Sequence, residues 1–168
     1  IFMLETNSGT YQAKTVILAM GAKPRQLPIE GIESLVGRGV SYCATCDGSF
    51  FKDKTTVIVG GGDTACADAV YLSRIAKEVH LVHRRASAWY AGQLDALDNV
   101  TIHWDSVVAG FEEAEGKLAS VTLENVKDKS QEVVPTDALF IAVGTQPDTA
   151  WLSGVVELDP SGYVVTTG

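Results

Sequence analysis

The chain has 168 residues, with 13 Lys+Arg against 21 Asp+Glu for a formal net charge of −8, and it is 46% hydrophobic and 20% charged. That balance suits one compact domain or pieces of two, and it excludes a disordered tail, a collagen-like repeat and a coiled coil. An acidic chain without a basic stripe argues against nucleic acid as a partner. Apolar runs such as Leu139–Val143 fall far short of the about 20 residues that a membrane span needs.

The chain opens on Ile1-Phe2-Met3-Leu4 and turns polar at once with Glu5-Thr6-Asn7, so there is no basic leader followed by an apolar stretch, and it reads as an excised piece. Three cysteines are too few, and odd in number, for a secreted disulfide scaffold. They fit a cytoplasmic protein in which any disulfide is transient and catalytic.

In chain order, residues 1–38 form a first segment in which Tyr11 to Leu18 becomes a buried β run before Gly21-Ala22-Lys23-Pro24 turns the chain. Pro24, Pro28 and Gly31 mark a linker. Residues 39–145 form the second segment, opening with Cys43-Ala44-Thr45-Cys46-Asp47-Gly48. A C-x-x-C spacing lets two thiols close a small disulfide ring and exchange with another dithiol. Structural zinc is the competing use, but it needs two further ligands; no second C-x-x-C supplies them, and His80, His83 and His103 are scattered on strands, so no metal is expected. Asp47 is either the acid that gives a proton to a leaving thiolate or an ordinary turn residue before Gly48.

A βαβ unit follows: a strand Thr55–Val59, a glycine turn, a helix from Asp63 to Lys77 with Ala65, Ala69, Leu72 and Ala76 on one face, and a strand Val79–His83. The turn Gly60-Gly61-Gly62-Asp63-Thr64-Ala65 thus stands where a G-x-G-x-x-G/A dinucleotide fingerprint requires. Gly60 permits the tight turn, Gly62 lets backbone approach a pyrophosphate at the helix N-terminus, and Ala65 keeps the helix close to the strand. In NAD sites an acid about 20 residues on binds the ribose 2′-hydroxyl. Here the strand ends in His83-Arg84-Arg85, with no acid between Val79 and Leu94, and two guanidiniums can pair with a 2′-phosphate. The expected nucleotide is NADP(H). Cys66, in the helix, reads as a small packing residue.

A short helix Trp89–Leu97 and a strand Val100–Trp104 extend the alternation. Short strands over Ser106–Phe111, Leu118–Leu123 and Gln131–Val134 then suggest an antiparallel meander, after which Ala138–Val143 rejoins the main sheet. The expected fold is α/β: a three-layer, Rossmann-like dinucleotide-binding domain with a parallel sheet, helices and an inserted meander. Residues 146–168 form a return linker with a strand at Tyr163-Val164-Val165.

Taken jointly, Cys43–Gly48, Gly60–Ala65 and Val82-His83-Arg84-Arg85 make the chain resemble thioredoxin reductase of the low-molecular-weight bacterial type. Val16 to Arg25 looks like that family's segment near FAD, and Phe140 to Gly144 before Pro147 is a further match that adds Gly144 to the cofactor-binding set. The resemblance implies a cytoplasmic homodimer in which NADPH reduces FAD, reduced FAD reduces the C-x-x-C disulfide, and the dithiol reduces thioredoxin. Cys46 would face the flavin, Cys43 would be the interchange thiol and Asp47 the acid/base. Linkers near Gly31–Gly39 and Gly144–Trp151 would be hinges.

Two positions depart from the pattern: Trp89 stands where a third arginine is common, and Ala19-Met20-Gly21 replaces Ala-Thr-Gly. With no G-x-G-x-x-G before Ile1, this piece alone is expected to bind NADPH weakly, retain no FAD and reduce no thioredoxin. The rival readings are the flavoprotein component of alkyl hydroperoxide reductase, a nucleotide-binding redox sensor, and a family member fed by another electron donor.

Overall fold

A computed structural model describes residues 1–86 and 91–166 of the chain. The chain divides into two units, residues 24–145 and the pair of terminal segments 1–23 and 146–168.

In the terminal unit, β1 (Phe2–Thr6) and β2 (Gly9–Ala13) form a five-rung antiparallel hairpin. The expected buried run over Val16–Leu18 is not a strand; it lies exposed, with Ile17 at 91%. Apolar sequence makes a strand only where a neighbouring edge can take its backbone, and the hairpin ladder ends at Ala13. A short β3 (Ala22–Pro24) closes the first terminal segment. The strand expected at Tyr163–Val165 reduces to a single bridge, Leu158 to Val164, because Asp159 draws the chain into a turn by accepting the Ser161 and Tyr163 N–H groups.

Within residues 24–145 the sequence builds three layers, as expected. β4 (Val40–Ser41) leads through Cys43 into α1 (Ala44–Asp47) and a 3-10 turn over Gly48–Phe51. Then follow β5 (Thr55–Val59), α2 (Asp63–Leu72), β6 (Glu78–His83), α3 (Ala91–Leu94) and β7 (Val100–Trp104). The meander is β8 (Ser106–Ala114), β9 (Lys117–Asn125) and β10 (Gln131–Pro135), and β11 (Ala138–Ile141) returns to the main sheet. A last strand, β12 (Thr145–Pro147), pairs with β3.

The main sheet is fully parallel in the order β4-β11-β5-β6-β7. Side chains alternate between its faces with the period-2 rule of strands. Val57, Val59, Val82, Leu139 and Ile141 pack with Val108, Leu118, Val121, Leu123 and Val134 of the meander. Ile58, Val79, Leu81, Ala138 and Phe140 pack with Ala65, Cys66, Ala69 and Leu72 of α2. The near-continuous apolar strands follow from this, because a sheet covered on both faces has no solvent side. The meander turns at Glu115-Gly116, both with positive φ, the geometry of a tight two-residue hairpin.

Helix α2 stops at Leu72, five residues short of the expected Lys77. Asn99 explains the early end: its side-chain amide donates to the Ser73 and Ala76 carbonyls at 2.9 and 3.2 Å, while the Lys77 N–H turns away to Lys54. Among the described residues, no helix is long and apolar enough to cross a membrane.

Candidate functional site

Strand order decides where a ligand can enter. After β5 the chain crosses to β6 on one side, whereas β11 lies on the other, so the carboxyl ends of β5 and β11 diverge and open a crevice. A groove of about 870 Å³ occupies that point, lined by residues 59–62 after β5, 82–85 at the end of β6, 142–144 after β11, and by Arg25 and Ser106.

The three glycines of the turn are held for different reasons. Gly60 has φ 151°, its N–H donates to the Val82 carbonyl at 3.0 Å, and a Cβ there would stand 2.3 Å from the Ala142 carbonyl oxygen. Gly61 is covered by the His83 imidazole. Gly62 starts α2, with the Cys66 N–H donating to its carbonyl, and a Cβ there would meet nothing within 4 Å. Open space over the residue whose amide begins a helix is a cradle for an anion, and a side chain would occupy it. Thr64 lines the groove, whereas Ala65 is fully buried against β5 and Asp63 stays outside the lining. Gly144, with φ 91° and open space at its Cβ position, lies on the β11 side.

His83, Arg84 and Arg85 all line the groove, and both arginines are exposed. Burial pushes the His83 imidazole below its usual range, the two adjacent guanidiniums push it further, and Asp105 opposes them. The ring also lies near the Trp104 ring, with centroids 5.9 Å apart and tilted. Asp105, held in a left-handed conformation at φ 51°, accepts the Ala86 N–H at 3.2 Å and the Lys127 ammonium at 2.6 Å, so the loop that follows the arginines is tied to the meander. Among the described residues that line the groove none is acidic, and three, Arg25, Arg84 and Arg85, are guanidiniums. The volume, the open cradle and the acid-free arginine end fit a phosphorylated dinucleotide. The position of Trp89 lies outside the described residues.

The sulfur chemistry stands at the same edge of the sheet. Because β4 runs parallel to β11 and β5, the turn that follows it leaves from the carboxyl edge, as the glycine turn does. Cys43 and Cys46 form a disulfide with Cα atoms 5.3 Å apart, and the Cys46 N–H donates to Cys43 Sγ at 3.2 Å. Cys46 is exposed and Cys43 half-buried. Asp47 is half-buried one turn on, its N–H donating to the Cys43 carbonyl at 3.1 Å. Neither sulfur lines the groove. Cys66 is buried in α2, and burial pushes its thiol up, with the Asp63 charge adding to the rise. Among the described residues, no group of three or more His, Cys, Asp or Glu could hold a metal ion.

Sequence reasoning missed two residues. Arg25 stands in the sequence only as the end of a flanking match, yet its Nε donates to the Thr145 carbonyl at 2.9 Å and its N–H to the Gly144 carbonyl at 3.0 Å, which fixes it on the groove wall. Ser41 was not singled out, and its hydroxyl donates to Asp47 Oδ2 at 2.6 Å. A serine two positions before a C-x-x-C-D was the only available signal. For a flavin the residues do not fit by themselves: in the segment read as near FAD, residues 15–21 have no regular structure and all but Met20 are exposed.

Comparison with known proteins places this geometry. The family model described as Pyridine nucleotide-disulphide oxidoreductase matches residues 2–167. The chain is 43% identical over 164 residues to a thioredoxin reductase of Streptomyces coelicolor, covering 95% of this chain and 51% of that protein. It is 41% identical over 166 residues to a bifunctional thioredoxin reductase/thioredoxin of Mycobacterium leprae, covering 95% and 35%. Among solved structures it superposes on the thioredoxin reductase of Lactococcus lactis with a TM-score of 0.87 at 32% identity, covering 98% of this chain and 56% of that one. The thioredoxin reductase of T. acidophilum gives 0.86 at 30% identity, with 98% and 56% covered. The chain spans about half the length of most of the relatives it matches.

Proposed function

The chain belongs to the pyridine nucleotide-disulphide oxidoreductase family, and we propose that it serves an NADPH-dependent thioredoxin-disulfide reductase, with residues 39–145 as the nucleotide- and disulfide-bearing domain. The observation that carries this reading is the pairing, in one unit, of an acid-free arginine groove over a glycine turn with a disulfide at the same edge of the sheet. The similar proteins named thioredoxin reductase support it over the alkyl hydroperoxide reductase alternative.

In this reading the Gly60–Gly62 turn and the first amides of α2 hold the pyrophosphate, with Thr64 beside it. Arg84 and Arg85 pair with the 2′-phosphate, His83 walls the groove over Gly61, and Arg25 and Gly144 close its β11 side. When bound, NADPH supplies a hydride, and with one proton from water its two electrons convert the Cys43–Cys46 disulfide into two thiols, leaving NADP⁺. Neither sulfur lines the groove, so a carrier is needed between them. The resemblance implies FAD as that carrier, and residues 15–21, without regular structure and exposed but for Met20, do not enclose it by themselves. Cys43 then attacks one sulfur of thioredoxin's disulfide to give a mixed disulfide, Cys46 resolves it, and two electrons and two protons pass to thioredoxin as the Cys43–Cys46 bond re-forms. Asp47 supplies and recovers the proton at the sulfur that leaves. A homodimer in the cytoplasm completes the proposal.

Calorimetric titration of the chain with NADPH and with NADH tests it, alongside Arg84→Ala plus Arg85→Ala. A preference for NADPH that the double variant loses supports the assignment. Preference for NADH, or heat from neither nucleotide, overturns it.

A further inference from the structure

The Ser41 side chain is 5% exposed and sits between the two ends of the redox turn. Its oxygen accepts the Cys43 N–H at 3.0 Å, its O–H donates to Asp47 Oδ2 at 2.6 Å, and the Cys43 carbonyl lies farther off at 3.4 Å. A hydroxyl has one proton to give, and the shorter contact with a carboxylate takes it. A serine accepting the amide two residues on is an ordinary local turn. Donation to a carboxylate six residues on is not part of such a turn, and it closes a ring: Cys43 N–H to Ser41, Ser41 O–H to Asp47, Asp47 N–H to the Cys43 carbonyl.

We infer that Ser41 is the positioning residue for Asp47, a hydroxyl that fixes one oxygen of the acid/base beside the Cys43–Cys46 disulfide and leaves the other to serve the sulfurs. The inference rests on the reading of Asp47 as the proton carrier. A hydroxyl suits this task because it can rotate. It donates to the carboxylate and accepts from the carboxylic acid, so Oδ2 keeps its partner in both states. An aliphatic side chain there leaves Asp47 free to swing, and leaves the Cys43 N–H without its acceptor at a buried place.

The chemistry can be followed with a dithiol alone. A dithiothreitol thiolate attacks one cysteine sulfur, the S–S bond breaks, and the departing cysteine takes a proton from Asp47. The second dithiothreitol thiol displaces the other cysteine and closes its own ring. Two electrons pass from reductant to disulfide, and its two protons end on Cys43 and Cys46, with Asp47 reprotonated through water.

The experiment follows this reduction in the whole 168-residue chain by acid quench, alkylation and mass spectrometry between pH 5.5 and 9, with rates divided by the thiolate concentration of dithiothreitol. The expected result is that Asp47→Asn slows reduction by about 100-fold near neutrality, the low end of a general-acid contribution. Ser41→Ala slows it by roughly tenfold and moves the pH profile toward that of Asp47→Asn. The double variant is no slower than Asp47→Asn, and Ser41→Thr restores the wild-type profile. A wild-type profile in Ser41→Ala beside a changed one in Asp47→Asn overturns the inference and leaves the acid in place, as do losses that multiply in the double variant. A wild-type profile in Asp47→Asn overturns both.

Should Ser41→Ala lack a cooperative melt, Asp47→Asn still decides. The Ser41 hydroxyl proton, slowed in exchange by burial, is expected to give a downfield NMR signal in the unsubstituted chain, as donation to a carboxylate at 2.6 Å requires, and to move upfield in Asp47→Asn. The same signal position in both overturns the inference. None of these measurements involves nicotinamide nucleotide or thioredoxin, so failure here is distinct from failure of the NADPH assignment.

Discussion

His83 covers Gly61 so closely that a Cβ built on the glycine would stand 2.0 Å from the ring. The neighbouring Gly62 has nothing within 4 Å of the same position. The two glycines therefore answer differently to the same substitution. Gly61→Ala drives the ring out of place, an overpacking that costs about 1–3 kcal/mol and lowers Tm by roughly 2–10 °C, with nucleotide binding lost alongside. Gly62→Ala has an extended backbone, φ −97° and ψ −177°, that any residue adopts. It keeps Tm to within about a degree or two, as surface substitutions do, while nucleotide affinity falls at least about tenfold because the methyl fills the anion cradle. Thermal melts and calorimetry on both variants check the contrast.

The arginines of the groove divide by position. Arg84 and Arg85 follow β6, whereas Arg25 is bound to Gly144 and Thr145 on the β11 side. Each of Arg84→Ala and Arg85→Ala is expected to weaken NADPH by about 10- to 100-fold, the value of a charge-assisted hydrogen bond of roughly 1.5–3 kcal/mol, with NADH little changed. Arg25→Ala is expected to weaken both nucleotides by a similar factor, because it stands on the opposite wall of the groove from Arg84 and Arg85. Titrations at two salt concentrations add a check, since the preference for NADPH shrinks as screening grows.

Strands β5 and β7 were legible to the residue, because Thr55–Val59 and Val100–Trp104 are β-branched and apolar runs between turn signals. The glycine turn and the disulfide spacing were legible for the same reason: their chemistry is written in adjacent residues. What failed depended on remote neighbours. The end of α2 is set by Asn99, and Val16–Leu18 found no partner strand in its own unit. Arg25 gains its place from Thr145, 120 residues away, and Ser41 from a carboxylate on the far side of the disulfide. No periodicity reports a contact of that kind.

His80 and His103 form a half-buried pair across β6 and β7, Nδ1 to Nε2 at 3.0 Å, with Glu132 of β10 3.5 Å from His103 Nδ1. Burial holds His80 below its ordinary 6.5; the His103 ring adds to this, and Glu78 and Glu132 oppose it. Burial likewise lowers His103 against the pull of Glu132. The unfolded chain therefore binds more protons than the folded one as pH falls through 6.5, and stability must drop on the acid side and level off above it. A lower Tm at pH 5.5 than at pH 7.5, with the difference reduced in His80→Gln plus His103→Gln, is the expected result. Equal pH dependence in the variant rules the pair out as its source.

Strand β4 holds the sheet by two rungs, Val40 to Leu139 and Ser41 to Phe140, where β5 and β6 share five. Amide exchange reports such differences as separate opening free energies, small for a short edge strand and close to the global value for a central one. Deuterium is expected to enter Val40 and Ser41 well before Val57 and Leu81, in a transition that leaves β5 and β11 protected. The disulfide thus follows the strand with the fewest rungs among the four pairings of its sheet, and the exchange experiment reads whether its anchor opens before the strands that line the groove.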